Sequence, residues 1–180
     1  MFQDEVLLAT RKYELKRLPM WGKKVADDEI NFQWPTQEII DGLKPDVYLQ
    51  ALQLKGVRNL VLSSVCVTLS NGLVSPVFEH TCNDHTHVKT ITFPKDRPVR
   101  SVGAQDGMKL RDSPWVAKLS FWDAKGERIC EYNPNDSSLE QVRHPIKESE
   151  QLIGVYGVKG MDDKLFSFGF MVRSRKKIKI

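Results

Sequence analysis

The chain has 180 residues, 41% of them apolar, and a formal charge of +4. That is enough apolar material for one ordinary core, and no apolar run approaches the roughly 20 residues a membrane-spanning helix needs. The charge sits at one end. The stretch Arg173-Ser174-Arg175-Lys176-Lys177-Ile178-Lys179-Ile180 holds five cations and no acid, so the rest of the chain is close to −1, which argues against a uniformly basic nucleic-acid coat.

Taken in chain order, Met1-Phe2-Gln3-Asp4-Glu5 places acids where a secretion signal carries positive charge, and the expectation is a cytoplasmic protein or a piece of a longer chain. Residues 3 to 18 set Val6, Leu7, Tyr13, Leu15 and Leu18 among charges and run into Pro19, so a helix is expected there. Trp21 to Pro35 reads as irregular chain packed onto the domain through its tryptophans. Thr36 can cap a short helix through Gly42 by accepting a backbone N–H. Val47 to Leu54 fits strand or helix. Residues 1–55 are therefore expected as a helical and irregular extension, 56–173 as a β-rich domain and 174–180 as a basic tail.

From Val57 the pattern is β, and it repeats. Val57-Arg58-Asn59-Leu60-Val61, Val65 to Gly72 and Val74 to Phe78 match Val99 to Val102, Trp115 to Gly126 and Arg128 to Tyr132. Each copy is a short strand, a β-rich strand ending in a glycine turn, and a return strand. One such unit cannot bury its own apolar face, so repetition implies a stacked β scaffold. Asn71-Gly72 and Ala124-Lys125-Gly126 supply the tight turns. Further strands are expected at His87 to Phe93, Gln151 to Val158 and Leu165 to Arg173, where Phe166, Phe168, Phe170 and Val172 alternate as core residues. The expected fold is mainly β: an antiparallel β-prism or β-sandwich of repeated hairpin units with a helical N-terminal extension.

The run Glu148-Ser149-Glu150-Gln151-Leu152-Ile153-Gly154-Val155-Tyr156-Gly157, followed by Phe166-Ser167-Phe168-Gly169-Phe170, resembles the last repeat of jacalin-like lectin domains. The resemblance covers about residues 57 to 173 and implies a three-fold β-prism of Greek-key repeats. The chain departs from the family in two places. Trp21-Gly22 with a distant Asp27-Asp28 stands where those lectins use a Gly-Gly start, and their Gly-x-x-x-Asp sugar loop has no match after Phe170. The resemblance thus implies the fold more than sugar binding.

Three clusters are candidates for chemistry. Gly154, Tyr156, Gly157, Asp162 and Asp163 could bind sugar hydroxyls, with Tyr156 stacking on a ring; turn chemistry is the plainer reading. His80, Cys82, Asp84, His85 and His87 are zinc-ligand types, and His85 and His87 would share a strand face. No second ligand pair accompanies them, so a polar hairpin loop without a cofactor is the reading taken. Arg173, Arg175, Lys176, Lys177 and Lys179 could meet an acidic partner, against a solvated terminus. Cys66, Cys82 and Cys130 are an odd set with no framework spacing and are read as reduced thiols. No catalytic signature is present. The expected function is a non-catalytic module docking onto protein partners in an intracellular, for example cytoskeletal, assembly. The alternatives are a jacalin-like carbohydrate-binding lectin and, at lower weight, a metal-dependent β-barrel enzyme.

Overall fold

Period-two burial shapes the strands. In the stretch from Val61 to Leu69, Val65, Val67 and Leu69 are fully buried while Cys66 and Thr68 between them are partly exposed. The structure, a computed structural model, describes residues 12–22, 25–57, 61–79, 85–106, 116–134, 142–159 and 167–175. Twelve strands run through them: β1 Tyr13–Arg17, β2 Phe32–Trp34, β3 Leu49–Val57, β4 Val61–Leu69, β5 Phe78–Glu79, β6 His85–Thr92, β7 Ser101–Asp106, β8 Val116–Trp122, β9 Arg128–Tyr132, β10 Val142–Pro145, β11 Glu150–Val158 and β12 Ser167–Arg175. The helix α1 spans Gln37–Asp41, and the Thr36 hydroxyl accepts from the Ile39 amide at 3.4 Å, the expected cap.

The strands form three four-stranded antiparallel sheets, ordered β1-β12-β11-β2, β10-β7-β8-β9 and β5-β4-β3-β6. Two of these are the same Greek key. Three consecutive strands lie side by side, and the fourth returns beside the first, giving β6-β3-β4-β5 and β10-β7-β8-β9. The third sheet obeys the same rule if the chain is read as a circle: β2-β11-β12-β1. The last repeat is thus completed by strands from the start of the chain.

The sheets meet on aromatic rings. Phe93 follows β6, Phe121 lies on β8 and Phe170 on β12, so each sheet contributes one. Phe93 and Phe121 pack edge to face at 4.9 Å, and Phe121 and Phe170 at 5.4 Å. Phe168 and Trp21 extend the cluster from the Phe170 side at 5.0 and 5.9 Å. Both Phe168 and Phe170 are fully buried, as their alternation implies; Phe166 lies outside the described residues.

The helical extension is corrected. Tyr13–Arg17 is a strand paired with β12, Tyr13 opposite Arg175 and Arg17 opposite Met171. Without β1 the edge of β12 would present unpaired amides and carbonyls, and a local preference for helix of a few tenths of a kcal/mol per residue does not outweigh a ladder. The rest of the expected helix, residues 3 to 11, lies outside the described residues. The repeat boundaries also move. The first strand of the first copy is β3, which begins at Leu49, and residues 58–60 lie outside the described residues. The two turns fall in equivalent places, after β4 and after β8, with Gly72 and Gly126 at φ of 92° and 78°.

Candidate functional site

β11 runs the length of its sheet, so its two ends define two surfaces. Gly154 lies at its middle and Tyr156 and Gly157 towards its C-terminal end, and all three are buried. Gly154 faces the Trp34 carbonyl and Pro35, where no side chain fits. Gly157 lies against the Ser167 carbonyl and the Phe32 ring with the same consequence. Tyr156 pairs across the sheet with Gly169, and the missing side chain there makes room for the phenol ring. The Tyr156 hydroxyl donates to the Leu18 carbonyl, and the Arg17 guanidinium sits 5.2 Å from the ring centre. Only 4% of Tyr156 is exposed, so the alternative of stacking on a sugar is corrected, and so is the plainer turn reading, since these residues lie within a strand: the phenol is an internal clamp between β11 and the chain leaving β1. Burial pushes its hydroxyl pKa up.

What this end offers to solvent comes from the segment ahead of β2. Trp21 bridges Phe168 through paired backbone hydrogen bonds of 2.8 and 2.9 Å. Asp27–Glu29 then form an exposed 3-10 turn. Asn31 ties that segment to the far end of β11, its amide donating to the Lys159 carbonyl at 2.9 Å and its oxygen accepting from the Lys159 amide at 2.7 Å. The Asp27–Glu29 turn is thereby tied to Lys159 at the end of β11; in sequence, Asp162 and Asp163 follow three and four residues later. Those two residues lie outside the described ones. Sequence reading passed over Asn31, since no motif distinguishes a loop asparagine that pins a neighbouring backbone.

Arg173, expected among the partner-facing cations, is instead 2% exposed. Its Nε donates to the Gln151 side chain at 2.8 Å, and one terminal nitrogen donates to the carbonyls of Val47 at 2.7 Å and Lys44 at 3.1 Å. The guanidinium lies 4.4 Å from the centre of the Tyr13 ring. Two residues after buried Met171 on β12, it shares that residue's face and is buried with it; the strand runs on to Arg175, past the expected end at Arg173. Arg175 is exposed; Lys176, Lys177 and Lys179 lie outside the described residues.

Of the histidine cluster, His80, Cys82 and Asp84 lie outside the described residues. His85 is described only in its backbone, paired with Val57. The His87 ring packs edge-on to Tyr132 at 5.7 Å. Among the described residues no three His, Cys, Asp or Glu side chains gather to hold a metal. Cys66 and Cys130 are free thiols. Among the described residues no helix is long and apolar enough to cross a membrane.

Three Greek-key sheets around one aromatic core define a β-prism. Solved structures agree. The chain is similar to single-chain recombinant jacalin, with 17% identity and a TM-score of 0.61 over 89% of this chain and 95% of that one. It is similar to artocarpin in complex with mannotriose, with 18% identity and a TM-score of 0.57 over 88% and 97%. It is also similar to a mannose-binding jacalin-related lectin from Ananas comosus, with 14% identity and a TM-score of 0.57 over 90% and 99%. The fold is that of jacalin-related lectins. No protein-family model matches the chain, and no curated protein matches it.

Proposed function

We propose that the chain is a non-catalytic carbohydrate-binding module. The observation that supports this most is the complete prism itself, matched over about 90% of its length by lectins, two of them described as bound to mannotriose or as mannose-binding. The sugar would sit at the end where Asn31 ties the Asp27–Glu29 turn to Lys159 at the close of β11. Carboxylates accept hydrogen bonds from adjacent sugar hydroxyls, and charge-assisted bonds of this kind are about twice as strong as neutral ones.

The test is calorimetric titration of the intact chain with mannotriose, preceded by a glycan array to choose a better sugar. One sugar should bind stoichiometrically, and the pair Asp162→Asn and Asp163→Asn should weaken it at least about tenfold, the loss of one charged hydrogen bond. Absence of binding to every sugar on the array would overturn the lectin reading. A second reading, docking onto a protein partner, is favoured by Leu73, Val74 and Val77, which are 43%, 57% and 46% exposed around one connection. Sugar-insensitive capture of a discrete protein, lost in Val74→Asp, would support that reading.

A further inference from the structure

The opposite end of the prism, where β11 begins and β12 finishes, holds an open cleft of about 410 Å³. Sites for small molecules commonly occupy roughly 300–1,000 Å³. We propose that this cleft is a second ligand site, taking a small molecule through a carboxylate or phosphate group. The inference does not depend on the sugar reading. β11 has nine residues, which at about 3.3 Å each separates the two ends by more than roughly 25 Å.

Charge is the first ground. Lys95, Arg97, Arg100, Arg173 and Arg175 contribute to the walls, against Asp46, Glu148 and Glu150. The acids are weak competitors. Glu150 is committed: one oxygen accepts from the Lys147 amide at 3.0 Å and the other faces the Lys16 ammonium at 3.4 Å. Asp46 and Glu148 are exposed, where solvent and salt screen them. Among the cations, Arg97 is paired with Asp123 at 2.9 Å. Arg100 and Arg173 are bound only to neutral acceptors among the described residues: Arg100 to the carbonyls of Lys147 and Glu150 at 3.0 and 2.9 Å, Arg173 to Gln151 and backbone carbonyls.

Arg173 is the second ground. It is almost wholly buried, and among the described residues no carboxylate pairs with it, Asp46 acting on it only through its field; its second terminal nitrogen has no acceptor among them. A buried ion is costly unless something compensates it, and low-dielectric walls concentrate its field in the adjoining cleft. An oxyanion held by Arg100 and Lys95 at the mouth would lie in that field. Tyr48 on the walls, half-buried, adds an aromatic ring for the remainder of the molecule. The sequence carried a signal for this site in Phe93-Pro94-Lys95-Asp96-Arg97-Pro98-Val99-Arg100, two cations between prolines and a third just beyond.

The experiment titrates the intact chain with glucuronate and, separately, with inorganic phosphate, and uses methyl glucoside as the uncharged control. At least one anion should bind with one-to-one stoichiometry, more weakly as salt rises, while the control leaves the cleft resonances unmoved; the anion that binds identifies the group. Arg100→Gln and, independently, Lys95→Gln should each reduce affinity about tenfold with the fold intact by circular dichroism, so the result does not hang on Arg173, whose replacement endangers folding. Mannotriose binding should be unchanged in both variants. Failure of both anions to bind at millimolar concentration, or binding insensitive to both substitutions, would overturn the site.

Discussion

The hydroxyl of Tyr156 reaches the carbonyl of Leu18 across 138 residues of sequence, and the guanidinium of Arg173 reaches that of Val47 across 126. In both cases a residue type associated with ligands joins distant parts of the chain, the Tyr156 hydroxyl wholly and Arg173 through all but one terminal nitrogen. Removing the Tyr156 hydroxyl leaves a buried carbonyl without its donor, so Tyr156→Phe should lower unfolding free energy by about 1–2 kcal/mol in urea denaturation and leave sugar binding intact. Side-chain chemistry was legible in the sequence at these positions; orientation was not. A tyrosine that stacks on a sugar and one that clamps a strand are the same letter, and only the glycine opposite, Gly169, marks the second role.

At the scale of elements, two of the three Greek keys were legible because their turns carry glycines and their strands alternate. The third was hidden because its members are separated: β1 and β2 are written at the start of the chain and β11 and β12 near its end. Periodicity is a local signal, and it cannot show that a charged stretch such as Tyr13–Arg17 is the missing neighbour of a strand more than 150 residues away. β11 is where these pieces converge, hydrogen-bonded to β12 on one side and β2 on the other. Its close approach to both depends on small residues. Gly157→Ala would drive a methyl group into the Ser167 carbonyl and to within 2.9 Å of the Phe32 ring. Backbone on a paired strand cannot step aside, so the substitution should cost about 3 kcal/mol or more, read as a lowered denaturation midpoint.

Across the whole molecule, the sheets are also joined by rings outside the central cluster. His144 on β10 stacks on Trp21 at 4.9 Å, linking the second sheet to the first. Desolvation lowers the His144 pKa from its ordinary 6.5, so the fold favours the neutral ring and the unfolded chain takes up the proton first. The contribution is complete above pH 6.5, declines as pH falls through that value, and levels off below the lower pKa of the folded state. Thermal melts should therefore show a loss of stability as pH falls through about 6.5 that is smaller in His144→Phe, which keeps a ring on Trp21 but cannot titrate. An equal loss in both proteins would assign the dependence elsewhere.

The split third sheet also orders events during synthesis. The other two sheets are written contiguously, from Leu49 to Pro145, and can assemble as they leave the ribosome. β1 and β2 emerge before any of this, yet their partners are completed only when translation reaches Arg175. Until then Phe32, Trp34 and Trp21 have no sheet to cover them, and closure must gather the two most distant described segments in a single late step of high contact order. The nascent prism is an open structure with one wall missing, and the strands made first are the last to find their place.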